Sequence, residues 1–176
     1  MKSCLATWQF LNSKVDTSLF IRHDTRGLII VLIYEDDILV IGLDSALLED
    51  FIVKLSQAFA LKDLGLVAYF LGVEVCYLDE GMHLSQTKYI KDLLSIASME
   101  NYKGSDTPLS TGLKLERNVW GPLGQKFENP TLYRSIVKGL QYLILTRPDI
   151  AYSVHKLNQY LSSPTLQHWL ACKRVL

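Results

Sequence analysis

The segment from Leu28 to Gly42 places an acidic insert between two apolar runs. Each run has the length and the Ile, Val and Leu content of a β-strand, so the segment predicts a β-hairpin that is buried on both flanks. Asp36 and Asp37 are neighbours at its tip. Two adjacent carboxylates beside a core repel each other and lose hydration unless a partner neutralises them. A divalent cation such as Mg²⁺ would do this, whereas a simple turn would use both residues only as turn formers.

Composition places the chain among globular proteins. Of its 176 residues, 49% are hydrophobic and 20% are charged, which suits one domain or two small subdomains. No apolar run reaches the roughly 18 residues that span a bilayer, and the N-terminus lacks a signal-peptide core. We therefore expect an intracellular protein without a membrane partner. Cys4, Cys76 and Cys172 lie far apart without Cys-x-x-Cys spacing, so we expect reduced thiols and no disulfide partner.

The net charge of zero conceals a difference between the two halves of the chain. Residues 1–85 carry 6 Lys and Arg against 12 Asp and Glu, whereas residues 86–176 carry 12 against 6. A basic half suits polyanionic partners such as nucleic acid. Dispersed charges that only solvate helix faces would give the same counts, so both interpretations stay open at this point.

The first half of the chain combines strand and helix patterns. After the hairpin, Asp44 or Ser45 would cap a helix that runs to about Phe59. Residues 67–77 and 82–84, separated by a turn that contains Gly, predict a second hairpin. The order of hairpin, helix and hairpin, followed by helices, indicates an α+β fold.

The second half is predicted to be helical. Residues 86–98 carry apolar side chains at helical spacing, and residues 103–130 predict a long connection with little regular structure. Three further helices would follow, each with a proline at its first position: Pro130, Pro148 and Pro164. The pattern stops at Leu176 without a C-cap, from which we expect a truncated end.

The hairpin tip Tyr34-Glu35-Asp36-Asp37 is one of many short motifs in this chain. The others are Asp16–Phe20, Lys62–Gly65, Tyr69–Val75, Leu84–Tyr89, Tyr133–Val137, Leu140–Leu143, Leu145–Tyr152, Pro164-Thr165, His168-Trp169 and Lys173–Leu176. In this order and spacing they resemble the polymerases of copia-type LTR retrotransposons. The tip itself resembles the Tyr-x-Asp-Asp motif of reverse transcriptases, and the resemblance covers nearly the whole chain.

The resemblance implies an α+β fold that is part of a reverse transcriptase. Residues 1–85 would be the C-terminal part of the palm, with the Tyr-x-Asp-Asp hairpin and a second hairpin like the family's primer grip. Residues 86–176 would be a helical thumb or connection. The implied activity is RNA-directed DNA polymerisation, a nucleotidyl transfer with two Mg²⁺. The implied partners are an RNA or DNA primer–template and a deoxynucleoside triphosphate, in the cytoplasm, a virus-like particle or the nucleus.

The resemblance also implies roles for single residues. Asp36 and Asp37 would be catalytic ligands of Mg²⁺, Tyr34 would lie beneath the primer terminus, and Lys62 would act near the leaving pyrophosphate as a general acid. The other candidates for nucleic-acid contact are Tyr69, Phe70, Leu71, Gly72 and Lys88. An exposed lysine after a helix would explain Lys62 without any catalytic role, and packing in a core would explain the aromatic residues.

Two features depart from the family pattern. We expect the family's first catalytic aspartate on an upstream strand outside this chain, because neither Asp16 nor Asp24 stands in its context. We also expect the fingers and the ribonuclease H domain to lie outside this chain. Glu35 replaces a small or apolar residue, and at ~5 Å from a phosphate, with an effective dielectric of ~20, it would cost about 3 kcal/mol. We therefore expect a polymerase fragment that is inactive as this chain alone. The alternatives are a non-catalytic nucleic-acid-binding remnant and a relic open reading frame.

Overall fold

A computed structural model describes residues 1–110, 112–116 and 121–176 of the chain. Within these residues, two small antiparallel sheets and six α-helices form two compact units, Met1–Val67 and Ala68–Leu176. This content agrees with the predicted α+β class. The unit boundary groups the second hairpin with the helices, whereas the sequence suggests a palm–thumb boundary between residues 85 and 86. The division into palm and thumb therefore stays a prediction.

The first unit contains the predicted acidic hairpin. Its elements are α1 (Lys2–Thr7), β1 (Leu11–Asn12), β2 (Leu19–Asp24), β3 (Gly27–Tyr34), β4 (Asp37–Gly42) and α2 (Ser45–Ala58). The four strands pair antiparallel in chain order, and β3 pairs with β4 as far as Tyr34 and Asp37. The helix α2 begins where the sequence predicts it, because the carboxylate of Asp44 accepts a hydrogen bond from the Leu47 amide at 2.6 Å.

One face of the first sheet forms the core of this unit. Alternate strand residues share a face, so Phe20, Ile29 and Val31 lie together against the apolar stripe of α2. The buried cluster consists of Leu5, Phe10, Phe20, Ile29, Val31, Leu47, Phe51 and Leu55. In contrast, β4 contains no buried residue. The prediction that both flanks of the hairpin are buried is therefore wrong for β4, because β4 is the edge strand of this sheet.

The second unit begins with a three-stranded sheet of β5 (Tyr69–Phe70), β6 (Val73–Leu78) and β7 (Gly81–Ser85). The hairpin of β6 and β7 confirms the predicted turn. The single strand expected over residues 67–77 is wrong, because Leu71 and Gly72 have φ angles of 48° and 82°. Residues in this left-handed region turn the chain and cannot continue a strand. The chain therefore reverses at Leu71 and Gly72, between β5 and β6.

Four helices complete the second unit: α3 (Thr87–Ile96), α4 (Pro130–Leu143), α5 (Ala151–Asn158) and α6 (Leu166–Val175). Pro130 begins α4, and Pro148 begins a 3₁₀ turn that leads into α5. The prediction for Pro164 is wrong, because Thr165 is the N-cap and α6 begins one residue later. The Pro164 carbonyl instead accepts a hydrogen bond from the Phe127 amide at 2.9 Å.

The core of the second unit lies between its helices. It includes Leu93, Tyr133, Ile136, Val137, Leu140, Leu143, Ile150, Val154, Leu157, Trp169 and Cys172. The connection predicted over residues 103–130 contains a 3₁₀ turn at Pro122–Gly124 as its one named helical element in the described residues. Residues 111 and 117–120 of that prediction lie outside the described residues. Among the helices that the structure describes, all fall short of the length and hydropathy of a transmembrane segment.

Candidate functional site

The tip of the β3–β4 hairpin presents three consecutive carboxylates to solvent. Glu35 and Asp36 form the turn, and Asp37 is the first residue of β4, paired with Tyr34. Tyr34 and the three acidic residues are all exposed. The prediction that Asp36 and Asp37 lie beside a core and lose hydration is therefore wrong, because the tip lies beyond the buried residues of the sheet. A turn at this place agrees with the turn-former interpretation and leaves the metal-ligand interpretation open.

In the part of the chain that the structure describes, no ion pair compensates the charge of the tip. The ion pairs in the described part of the chain join Arg22 to Asp24, Arg26 to Asp50, and Arg147 to Asp149, and none involves the tip. Three neighbouring negative charges repel each other and attract cations. The tip is thus an acidic site without a positive partner from the described residues.

The tip offers the type of oxygen ligand that Mg²⁺ binds, but the described residues do not supply enough ligands for a complete site. Carboxylate oxygens are the ligands that hard cations such as Mg²⁺ take. However, over residues 1–110, 112–116 and 121–176, no group of three or more His, Cys, Asp or Glu side chains is arranged to hold a metal ion. Asp36 and Asp37 therefore do not make a complete metal site by themselves.

Asp16 and Asp24, the nearest upstream acids, have local structural roles. The amide and the hydroxyl of Ser18 donate hydrogen bonds to Asp16 at 2.8 and 2.5 Å, and these bonds lower the pKa of Asp16. The pKa of Asp24 is lowered mainly by a hydrogen bond from the Arg26 amide. Both carboxylates are thereby occupied in turns, so neither supplies the ligand that the tip lacks.

Lys62 lies in the irregular segment after α2 and is exposed. No ion pair joins it to Asp36 or Asp37 in the described residues. Its position is that of an ordinary exposed lysine after a helix, and its proposed role as a general acid stays a prediction.

The second unit brings Tyr69 and Lys88 together at the β5–β6 turn. Tyr69 is 52% exposed, which excludes core packing as the reason for this aromatic residue. The ammonium of Lys88 lies 5.9 Å from the centre of the Tyr69 ring, within the range of a cation–π contact. Phe70, the other residue of β5, is half-buried. Leu71 and Gly72 form the turn itself, so five of the six predicted contact residues lie in one region, whereas Tyr34 lies in the first unit.

Glu74 joins the strands of this region to the start of α3. Its carboxylate accepts hydrogen bonds from the Ser85 hydroxyl at 2.8 Å and from the Lys88 amide at 2.9 Å. The bond from the Lys88 amide is the main reason that the pKa of Glu74 is lowered. Because Glu74 is also paired with Tyr69 in the sheet, it fixes Tyr69 and Lys88 relative to each other.

The structure adds Tyr142 of α4 to this region, a residue that the sequence prediction missed. Its hydroxyl donates a hydrogen bond to the Leu71 carbonyl. Its ring meets the Tyr89 ring edge-on, with 5.3 Å between the ring centres. One signal in the sequence could have found it: Tyr142 is an aromatic residue that lies off the apolar stripe of α4, which includes Ile136, Leu140 and Leu143.

Comparison with known proteins finds one matching family and several relatives from plant transposons. The family described as "Reverse transcriptase (RNA-dependent DNA polymerase)" matches residues 1–111. The "Retrovirus-related Pol polyprotein from transposon RE2" of Arabidopsis thaliana is 44% identical over 176 residues, which is 100% of this chain and 12% of that protein. The corresponding polyprotein from transposon RE1 of the same plant is 43% identical over the same share of each chain.

A more distant relative extends the comparison to a second plant. The "Retrovirus-related Pol polyprotein from transposon TNT 1-94" of Nicotiana tabacum is 35% identical over 162 residues, which is 89% of this chain and 12% of that protein. The chain thus spans 12% of the length of these three relatives. No solved structure matches the chain.

Proposed function

Because the chain belongs to the reverse transcriptase (RNA-dependent DNA polymerase) family of copia-type retrotransposons, we propose that it contributes two parts to such a polymerase. The first part is the acidic tip with Asp36 and Asp37. The second part is the β5–β6 region, as a contact surface for the primer–template. In such a polymerase the 3′-oxygen of a primer attacks the α-phosphate of a nucleoside triphosphate, the bond to the β-phosphate breaks and pyrophosphate leaves. Asp36 and Asp37 would hold Mg²⁺, which would stabilise the developing negative charge.

The exposed acidic tip is the observation that carries this proposal. A hairpin tip with three neighbouring carboxylates and no ion pair in the described residues attracts cations. Asp36 and Asp37 would be two of the ligands of Mg²⁺. Since the described residues do not complete the site, the remaining carboxylate would come from outside this chain.

The edge strand β4 is the place where such a ligand would join. β4 pairs with β3 along one side, and no strand of the described residues pairs along the other. An unpaired edge accepts a further strand through its free backbone groups. A strand added there would run beside Asp37, the first residue of β4, and could carry a carboxylate to the tip.

Primer extension tests the proposal. We expect the chain alone to add no nucleotide to a primed RNA template in the presence of Mg²⁺. A chimera, in which the chain replaces the matching segment of the RE2 polyprotein, should extend the primer when the unmodified RE2 polyprotein does. Asp36→Asn should lower the rate of the chimera by at least about 100-fold, an increase of about 2.7 kcal/mol in the activation barrier.

Asp63→Asn is the matched control, because Asp63 is also exposed and accepts a hydrogen bond only within its own turn, from the Gly65 amide. It should leave the rate unchanged. Extension by the chain alone that Asp36→Asn abolishes would contradict the need for an outside ligand. A chimera that is indifferent to Asp36→Asn would contradict the catalytic role.

Nucleic-acid binding without catalysis is the second candidate function. Two observations favour it: the exposed Tyr69 pairs with Lys88, and Lys88 belongs to residues 86–176, which carry 12 basic and 6 acidic residues. Phosphate contacts are independent of sequence and weaken with salt. We expect the chain to bind a primed RNA–DNA duplex, with a loss of roughly 10-fold or more in affinity between 50 and 200 mM salt. No retention of duplex at low salt would contradict this function.

A further inference from the structure

The β5–β6 turn adopts a conformation that its own sequence disfavours. Leu71 has a φ angle of 48°, and a residue with a Cβ is strained in this left-handed region. Gly72, with a φ angle of 82°, adopts it freely. A contact from outside the turn would therefore help to hold Leu71 in place.

Tyr142 supplies that contact from helix α4. Its hydroxyl donates to the carbonyl of Leu71, the strained residue. Its ring also packs against the turn, because a Cβ placed on Gly72 would lie 3.5 Å from Tyr142 Cε1. The hydrogen bond and the ring contact together restrain both residues of the turn.

Tyr142 is itself fixed by contacts between α4 and α3. Its ring meets Tyr89, the residue next to Lys88, at 5.3 Å between ring centres. Four residues further along the chain, the Thr146 hydroxyl donates a hydrogen bond at 2.7 Å to the side-chain oxygen of the buried Gln86, the N-cap of α3. The end of α4 is thus bonded both to the turn and to the start of the helix that carries Lys88.

We infer that Tyr142 is a positioning residue, which holds the Leu71–Gly72 turn and thereby aligns Tyr69 for contact with nucleic acid. This inference rests on the proposed function of the β5–β6 region. Tyr142 acts through Leu71 and does not need to touch the nucleic acid. Its ring is 37% exposed, so loss of the hydroxyl removes the hydrogen bond to Leu71 and leaves the ring contact and the core of α4 intact.

The test compares Tyr142→Phe with Tyr152→Phe in the full 176-residue chain. Tyr152 is a matched control, because it is 69% exposed and lies on a different helix of the same unit. Two measurements are made on each variant: hydrogen exchange of the backbone amides over residues 69–75, and affinity for a primed RNA–DNA duplex at low salt. Thermal unfolding verifies that both variants fold.

We expect Tyr142→Phe to accelerate exchange in the turn and to weaken duplex binding about 3- to 10-fold, the range that one hydrogen bond supplies. Tyr152→Phe should change neither. Unchanged exchange, or faster exchange with unchanged affinity, would overturn the inference. Failure of the unmodified chain to bind duplex would overturn the proposed function together with the inference, whereas normal binding that ignores Tyr142→Phe would overturn the inference alone.

A double-mutant cycle separates positioning from direct contact. Glycine adopts the left-handed conformation without a restraint, so the effect of Tyr142→Phe on affinity should become smaller when it is measured in a Leu71→Gly background. Residues in contact show such non-additive effects. An effect of equal size in both backgrounds would show that the hydroxyl does not act through Leu71 and would overturn the inference.

Discussion

The two turns of this chain that carry its candidate functional residues are supported in opposite ways. Glu35 in the β3–β4 tip and Leu71 in the β5–β6 turn both have positive φ angles, 50° and 48°. Leu71 is held by a hydrogen bond from α4, whereas the tip has neighbouring like charges and no ion pair in the described residues. The β5–β6 turn is therefore held by contacts within its own unit, whereas the carboxylates of the tip are available to a ligand from outside the chain.

The largest effect is expected where α3 and α4 meet, because this contact supports the β5–β6 turn. A Cβ on Gly139 of α4 would lie 2.6 Å from Cδ1 of the buried Leu93. Gly139→Ala should therefore destabilise the second unit by about 1–3 kcal/mol through overpacking. Chemical denaturation measures this. Ser135→Ala, at an exposed position of the same helix, is the control, and an equal loss in both variants would contradict the close contact.

A pH-dependent loss of stability is expected next, again in the second unit. His168 is buried: its Nδ1 accepts a hydrogen bond from the Thr165 amide at 2.9 Å, and its Nε2 lies 3.1 Å from the Glu116 carbonyl. Burial lowers its pKa, so the unfolded chain binds the proton more tightly. The contribution of His168 to stability is therefore complete above the unfolded pKa of about 6.5. It falls by up to about 1.4 kcal/mol for each pH unit between the unfolded and the folded pKa.

Denaturation at a series of pH values between 7.5 and 5 measures this loss in wild type and in His168→Gln. The exposed His155→Gln variant is the control. We expect the slope to become smaller in His168→Gln and to stay unchanged in His155→Gln. A slope that is the same in all three chains would contradict the assignment to His168.

Loss of the cap of α2 tests the support of the sheet that carries the acidic tip. The Asp44 carboxylate accepts the Leu47 amide at the start of this helix, so Asp44→Ala should lower the stability of the first unit by about 1 kcal/mol. Glu49→Ala, on the exposed side of the same helix, should have little effect. Hydrogen exchange in α2 reports the difference, and equal exchange in both variants would argue against the cap.

The smallest effect compares the two turns directly. Glu35→Gly removes one of three like charges and a Cβ in the left-handed region, so it should stabilise the first unit by about 0.5–1 kcal/mol. Leu71→Gly should give a smaller gain in the second unit, because it also removes the contacts of a leucine side chain that is only 38% exposed. Thermal unfolding of both variants measures the contrast. An equal gain at both positions would remove the difference between the two turns.

The sequence predicts those parts of the fold that follow from local patterns. The β3–β4 hairpin, the Asp44 cap and the helices after Pro130 and Pro148 all have their signals within a few residues. The strand β2 has no clear signal in the sequence, because its pattern is broken by Arg22, whose guanidinium lies 5.1 Å from the centre of the Phe10 ring in the core. A charged residue on the core side cannot be recognised before its aromatic partners are known.

The sequence predicts candidate residues for the site, but it does not predict the turn, the contacts and the exposure that surround them. The sequence groups Tyr69, Leu71 and Gly72, but the turn at Leu71 looks like a strand because its flanking residues are apolar. The position of Tyr142 off the apolar stripe of α4 shows in the sequence, but its partner does not, because Leu71 lies 71 residues away. The exposure of Asp36 and Asp37 was also missed, since the edge position of β4 depends on the pairing of the whole sheet.

We propose that the acidic tip is one part of a metal site and that a segment outside this chain completes the site. Binding of Mn²⁺, a paramagnetic substitute for Mg²⁺, tests it most directly when measured by electron paramagnetic resonance for the chain alone and for the RE2 chimera. We predict that the chimera binds Mn²⁺ at least about tenfold more tightly, a difference of about 1.4 kcal/mol, and that Asp36→Asn removes this gain. Equal affinity in both proteins, or a gain that survives Asp36→Asn, would contradict the account.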